Sequence, residues 1–156
     1  MHHPVIRPAR PDEYDAIARL WMESWCSTGL ERPSDTLLSL LKERVPREME
    51  GGWSLYVADD GGQLAAMLAI NVPLLYLDQL MIAPSHQGRS LGRRLLAFTR
   101  ELLPDEVWLR CAEGNGKAWR WYEREGFALE KKQADPLHGR IMKYYRWRRG
   151  DRAADS

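Results

Sequence analysis

The sequence of 156 residues predicts a single mixed α/β domain. Its length suits one domain with a sizeable core, and no repeat or linker divides it. Apolar residues alternate between strand spacing and helix spacing in the order βααβββαβαββ. Early hairpins and a central βαβ crossover indicate a mostly antiparallel sheet of six to seven strands with helices on both faces. We expect the domain to span residues 1–148 and a basic, disordered tail to follow over 149–156.

The first half of the chain carries four predicted strands and two predicted helices. A short strand over residues 5–9 ends at Pro8, and the residues Pro11, Asp12 and Glu13 form a typical helix start. A second helix over residues 33–45 begins with Ser34 or Asp35 as its N-cap. Three apolar runs of strand length follow. These runs are WSLYVAD (53–59), QLAAMLAINV (63–72) and LLYLDQLMI (74–82).

The second half alternates helices and strands. Helical spacing runs from about Ser90 to Leu103, and alternating apolar residues over 106–112 predict a strand. A short helix in NGKAWRWYERE (115–125) stops at Gly126. Two closing strands are predicted over residues 127–132 and 140–147.

Composition excludes several classes of function. The net charge is +1, so no overall field attracts nucleic acid. No run approaches the ~20 apolar residues that cross a bilayer, and no secretory signal is recognisable. Cys26 and Cys111 lack metal-ligand spacing and are predicted to be buried thiols, with no metal site. We therefore expect a cytoplasmic protein that binds neither membrane nor nucleic acid.

The stretch SHQGRSLGRRLL (85–96) has the character of an anion site. A strand leads through it into a helix, whose first amides and partial positive charge suit a phosphate. Gly88 and Gly92 allow close approach of the backbone, and Arg89, Arg93 and Arg94 add positive charge. On these residues alone, an anion site and an ordinary helix start stay equally open, because neither a Walker loop nor a GxGxxG fingerprint is present.

Two motifs in register resemble those of the GNAT superfamily of N-acetyltransferases. LDQLMIAPSHQGRSLGRRLL (77–96) is similar to the central motif, a strand, then Gln/Arg-x-x-Gly-x-Gly/Ala, then a helix. Ser90 stands where glycine is usual. NGKAWRWYEREGF (115–127) is similar to the second signature, with Trp121 for the usual Phe. The resemblance covers nearly the whole chain and implies the GNAT fold.

The resemblance implies acetyl-CoA, or another acyl-CoA, as the acyl donor. Loop amides would bind its pyrophosphate, the central strand would pair with its pantetheine arm, and a strand N–H would polarise the thioester carbonyl. The hydroxyl of Ser90 would donate to a phosphate or cap the helix. The implied cofactor-binding residues are Leu80, Met81, Ile82, Gln87, Gly88, Arg89, Ser90, Leu91, Gly92, Arg93 and Asn115, the last also a predicted N-cap.

The resemblance also implies that Tyr122 protonates the departing thiolate. The general base is open, because relatives carry glutamates where this chain has Tyr76 and Arg110. Asp78 is the nearest acid, and its leucine neighbours should desolvate it and raise its pKa, as suits a base. A structural role for Asp78, as a hydrogen-bonding acid, is an equal alternative. Glu113, Glu23 and a water relay are the alternatives.

The implied function is direct transfer of an acetyl group to a primary amine in a ternary complex. The alternative is a non-catalytic acyl-CoA-binding or regulatory module on the same fold. A small-molecule amine and a peptide N-terminus are both open as acceptor, and so is a homodimer. Trp21, Trp25 and Trp53 are candidates for an aromatic wall, with Trp21 placed in the core by its helix face. His86 and His138 are predicted to be exposed loop residues.

Overall fold

The computed structural model describes residues 3–88 and 90–150. It contains two compact units, one ending at Thr99 and the other beginning at Arg100, and we describe each by itself. The predicted order of helices and strands is confirmed, with seven strands and four α-helices in the described residues. The domain boundary at residue 148 stays a prediction, and most of the predicted tail lies outside the described residues.

The first unit contains four strands, each pairing antiparallel with the next. They are β1 (Val5–Pro8), β2 (Ser54–Asp60), β3 (Gln63–Asn71) and β4 (Tyr76–Ile82). All residues of β3 from 65 to 70 are fully buried, which explains its nearly continuous apolar sequence. The predicted strands agree with the observed ones to within two residues at each end.

Helices lie on both faces of this four-stranded sheet. Trp21 of α1 (Tyr14–Cys26) and Val45 of α2 (Asp35–Glu50) share a core cluster with Leu55 and Val57 of β2. Tyr56, which points the other way, meets Phe98 of α3 (Leu91–Leu102), with ring centroids 4.8 Å apart. Alternate residues of one strand therefore pack against helices on opposite sides.

Helix α2 begins as predicted and ends later than predicted. The Ser34 side chain accepts a hydrogen bond from the Leu37 amide at 3.0 Å, so Ser34 rather than Asp35 is the N-cap. The helix continues through Pro46 to Glu50. Proline costs this helix a hydrogen bond, whereas Val45 and Met49 on either side pack into the core, which offsets that cost.

The second unit contains three antiparallel strands and one short helix. The strands β5 (Glu106–Ala112), β6 (Ala128–Ala134) and β7 (Ile141–Arg148) lie in the order β5-β7-β6. Asn115 is the N-cap of helix α4 (Gly116–Arg124), as predicted, and its side chain accepts a hydrogen bond from the Ala118 amide. Across the described ranges of both units, no helix combines the length and apolar character needed to span a membrane.

An ion-pair network fixes β1 and the start of α1 to β2. The Arg7 guanidinium donates to Glu13 at 2.6 Å and to Asp59 at 3.1 Å. Hydrogen bonding to Arg7 lowers the pKa of Glu13 from 4.5 to about 2. The pKa of Asp59 is lowered as well, first by the Gly62 amide and then by Arg7. Both carboxylates are therefore more acidic in the folded chain.

This network predicts a loss of stability in acid. Because the folded-state pKa of Glu13 is depressed, its contribution is complete above about pH 4.5 and is lost as the pH falls toward about 2. Glu13→Gln should flatten that part of the curve of unfolding free energy against pH, measured by urea denaturation. Glu48→Gln, which removes the longer, half-buried pair with Arg44 at 3.6 Å, is the control and should keep the wild-type slope. An unchanged slope in Glu13→Gln would contradict the assignment.

Candidate active site

The anion loop, residues 83–90, connects β4 to α3. It opens with a single 3₁₀ turn over Pro84–His86. Gly88 and Ser90 have φ angles of 80° and 62°, both in the left-handed region. Serine is strained there, whereas glycine is not. Arg89 lies outside the described residues, so its predicted role is not followed further in the structure.

Helix α3 starts directly after this left-handed turn. The Arg94 amide donates to the Ser90 carbonyl at 3.3 Å, which places Ser90 just ahead of the helix. The amides ahead of that bond belong to the first turn of α3, where an α-helix supplies no acceptor of its own. Arg93 is exposed, while the Arg94 guanidinium donates to the Pro4 carbonyl at 2.7 Å. The junction thus combines backbone N–H groups with two exposed cations, Arg93 and Arg94, a combination that binds anions.

The side chain of Gln87 is engaged within the protein. Its amide nitrogen donates to the Ile82 carbonyl at 3.2 Å and to Ser27 Oγ at 3.4 Å. These bonds close the loop onto the end of β4 and onto the chain after α1. The contacts of Gln87 therefore stabilise the loop itself.

Asp78 occupies a β-bulge in β4. Gln79 lies opposite Ala69, and Leu77 lies opposite the next residue, Ile70, so Asp78 has no partner on β3. A bulge redirects the side chain of the unpaired residue and recurs next to active sites. This irregularity sets the direction of the predicted base.

Both oxygens of the half-buried Asp78 carboxylate accept hydrogen bonds. The indole N–H of the buried Trp53 donates to Oδ2 at 2.8 Å, and the Gln79 amide donates to Oδ1 at 3.1 Å. Within the described ranges no cationic side chain pairs with Asp78. Trp53 also packs on Trp21 with ring centroids 5.7 Å apart, so it orients the carboxylate from the core. An oriented carboxylate without a cation can accept a proton or bind an ammonium group.

The predicted pantetheine strand is the C-terminal half of β4. Leu80, Met81 and Ile82 are half-buried and pair with Leu68, Met67 and Ala66 of β3. The Ser24 hydroxyl of α1 donates to the Met81 sulfur at 3.5 Å. One edge of this segment is thus fixed by β3, and the Met81 side chain is held by α1.

Tyr122 is buried in the second unit, as the sole buried residue of α4. Its ring lies between Trp121 and Phe127, with centroids 4.9 and 5.5 Å away. Burial raises the pKa of Tyr122 well above its usual value, and the neighbouring Cys111 acts in the same direction. The phenol is therefore protonated at neutral pH and able to donate a proton.

Polar contacts hold α4 on β7 around this tyrosine. The Tyr145 hydroxyl donates to the Glu123 carboxylate at 2.7 Å. The ammonium group of the buried Lys143 lies 3.2 Å from the centre of the Trp119 ring. These contacts fix the helix through the residues on either side of Tyr122, and none of them was predicted from the sequence.

The other candidate bases differ in their surroundings. Glu113 is 2.6 Å from Lys132, and this hydrogen bond lowers the pKa of Glu113, which makes it a weaker proton acceptor. Glu23 is exposed on α1. Asp78 is the one of the three whose carboxylate is held by neutral donors.

Two predictions about local burial were wrong. His86 is only 6% exposed, because its imidazole is hydrogen-bonded to Asp60 of β2. Cys26 is half-buried rather than buried. His138 is exposed and Cys111 is buried, as predicted. The sequence contains no local signal for the His86 contact, since Asp60 lies 26 positions away.

A mixed α/β fold with an anion loop ahead of a helix is typical of enzymes that bind a phosphate-bearing cosubstrate. Comparison with known sequences makes this class specific. The profile of the acetyltransferase (GNAT) family matches residues 14–127, which include both the anion loop and Tyr122. The chain therefore belongs to the GNAT family of acetyltransferases, and it is an acyltransferase.

Individual relatives agree with this assignment. A probable N-acetyltransferase of Mycobacterium tuberculosis is 30% identical, with 80% of each chain covered. Among solved structures, an acetyltransferase from Thermus thermophilus has a TM-score of 0.75 at 20% identity, covering 95% of this chain and 99% of its own. YjaB from Escherichia coli, in its apo form, has a TM-score of 0.73 at 22% identity, covering 92% and 96%. Both structures resemble this chain in fold.

Proposed function

We propose that this protein transfers the acetyl group of acetyl-CoA to a primary amine, by direct attack of the amine in a ternary complex. The observation that carries the proposal is the left-handed backbone at Gly88 and Ser90, directly ahead of α3. In a chain of the GNAT family, whose members generally use acetyl-CoA, this junction is suited to a pyrophosphate group.

The residues of the anion loop fit that group. Gly88 is exposed and has open space where a side chain would lie, so a ligand can approach its backbone closely. The amides of Ser90, Leu91, Gly92 and Arg93 would hold the pyrophosphate, and the exposed Arg93 would add charge. Arg89 is proposed to do the same. The contacts of Gln87 support a role in shaping the loop in addition to the proposed cofactor contact.

Acetyl-CoA supplies an activated acetyl thioester when bound. The main chain of Leu80, Met81 and Ile82 is proposed to pair with its pantetheine arm, and an N–H of Met81 or Ile82 to polarise the thioester carbonyl. This role uses backbone atoms, so it is compatible with side chains that pack against α1 and β3. Asn115 is proposed to contact the cofactor in addition to capping α4.

Two side chains are proposed to move protons. Asp78 accepts a proton from the ammonium group of the substrate, directly or through water, which frees the amine to attack the thioester. Its carboxylate is oriented by Trp53 and bears no cationic partner in the described part of the chain. Tyr122 donates a proton to the departing thiolate, because burial keeps its phenol protonated.

Thiol release tests the proposed function. The protein is incubated with acetyl-CoA and a panel of small amines, amino acids and peptides, and free CoA is measured with a thiol reagent. We expect amine-dependent CoA release and an acetylated product of the matching mass. Binding of acetyl-CoA without release across the panel would overturn the proposal in favour of a non-catalytic acyl-CoA-binding module.

Tyr122→Phe should slow turnover by roughly a hundredfold, the usual effect of removing a general acid. The ring remains between Trp121 and Phe127, so the affinity for acetyl-CoA should stay nearly constant. Steady-state kinetics give kcat, and calorimetry gives the affinity. Tyr144→Phe, which also removes one tyrosine hydroxyl from the second unit, is the control and should turn over normally. An unchanged kcat in Tyr122→Phe, with chemistry rate-limiting, would remove Tyr122 from the mechanism.

Ser90→Gly should preserve or tighten the binding of acetyl-CoA. Glycine adopts the observed φ of 62° without strain, and the backbone amide remains. Ser90→Ala separates the two properties of serine, because it keeps the Cβ and removes the hydroxyl. Calorimetry with both variants measures the dissociation constant. A marked loss of affinity in both would show that the hydroxyl itself holds the phosphate.

A further inference from the structure

His86 is the buried side chain at the entrance to the anion loop. It closes the 3₁₀ turn that precedes the left-handed segment, and only 6% of its surface is exposed. The residues on either side of it, Ser85 and Gln87, are exposed. A buried imidazole between two exposed residues requires partners for both ring nitrogens.

Both nitrogens have such partners. His86 Nε2 lies 2.8 Å from Oδ2 of Asp60, and Nδ1 lies 2.8 Å from the Ser85 hydroxyl. A carboxylate only accepts, so Nε2 carries the hydrogen and donates it to Asp60. In the neutral imidazole, Nδ1 then accepts from Ser85. The result is a continuous hydrogen-bond chain from Ser85 through His86 to Asp60.

The far end of this chain is a firm anchor. Asp60 is the last residue of β2, which pairs with β1 on one side and β3 on the other. The preceding residue, Asp59, accepts from the Gly62 amide at 2.7 Å and from Arg7. The chain thus connects the anion loop to a part of the sheet that is itself held by several bonds.

Packing alone does not hold the entrance of the loop. An open groove of about 560 Å³ lies beside Ala83, Pro84 and Ser85, and its opposite wall is α1 from Ala16 to Glu23. With space on that side, directional hydrogen bonds decide where the loop lies. Among the described residues, the Ala83 amide donates to the Ala65 carbonyl at 2.8 Å where β4 ends. Beyond that point, the side-chain bonds that hold the loop to the sheet and to α1 are those of His86 to Asp60 and of Gln87 to Ile82 and Ser27.

We propose that His86 is a positioning residue for the acyl donor: through Asp60 and Ser85 it holds the anion loop in the conformation that aims the amides from Gly88 onward at the pyrophosphate. This inference rests on the proposed function of the loop. It assigns His86 no contact with the donor and no proton transfer, so its effect is confined to the part of the donor that carries the phosphates.

The test compares two acyl donors. In His86→Ala, the KM for acetyl-CoA should rise about tenfold with kcat nearly constant, because the loop must be ordered on binding. The kcat/KM for S-acetylpantetheine, which lacks the pyrophosphate, should stay at the wild-type value. His86→Gln keeps an N–H that can donate to Asp60 and should restore most of the lost affinity for acetyl-CoA.

Two further variants complete the test. Asp60→Ala removes the acceptor of the same bond from a side chain that is more exposed than His86, 26% against 7%, and it should reproduce the effect of His86→Ala. His138→Ala removes an exposed histidine that has its own aspartate partner at 2.8 Å. This control should leave the kinetic constants for both donors unchanged.

Each outcome has a distinct meaning. An unchanged KM for acetyl-CoA in both His86→Ala and Asp60→Ala would overturn the inference, as would equal losses with both donors, which indicate general damage to the fold. Absence of CoA release by the wild-type protein would instead contradict the proposed function. In that case the dissociation constants of the same variants are measured for CoA and for pantetheine. The affinity for CoA should fall, and the affinity for pantetheine should stay at the wild-type value.

Discussion

The chain can pass from β4 into α3 only through a backbone that turns left-handed at Gly88 and Ser90. Helix α3 begins directly after this turn, and the first amides of an α-helix have no acceptor within the helix itself. Serine adopts this conformation at a cost, so the surrounding contacts have to over-determine it. His86, Gln87 and the Ser90 carbonyl supply those contacts, from β2, β4, the end of α1 and α3.

Neighbouring residues also fix the side chains that are proposed for catalysis. Asp78 and Tyr122 are each held by aromatic neighbours, but the consequences differ. Trp53 donates a hydrogen bond to one carboxylate oxygen of Asp78 and so orients that carboxylate. The rings around Tyr122 offer only desolvation, which favours its neutral form. An oriented anion and a protonated phenol are the states that a base and an acid need before the reaction begins.

Much of the fold could be predicted from the sequence, because its determinants are local. Strand β5 was predicted over its full length from alternating apolar residues, and Ser34 and Asn115 cap helices as their position suggests. The end of α2 could not be predicted from local sequence, because a proline normally stops a helix. This helix continues past Pro46 because Met49 packs against the core.

The site was predictable only in part, because several of its determinants are non-local. The anion loop and Tyr122 could be located from motifs in register. The bulge at Asp78 depends on the register between β3 and β4, and the bond from Trp53 spans 25 positions. His86 was wrongly predicted to be exposed for the same reason, since its partner Asp60 lies on another strand.

The central claim is that the amides after β4 bind the pyrophosphate of the acyl donor. Backbone amide NMR of the labelled protein, titrated with CoA and separately with pantetheine, measures this directly. If these amides bind the pyrophosphate, the signals of Gly88, Ser90, Leu91, Gly92 and Arg93 shift with CoA and stay in place with pantetheine. Saturable binding of CoA that leaves these five signals unmoved would contradict it.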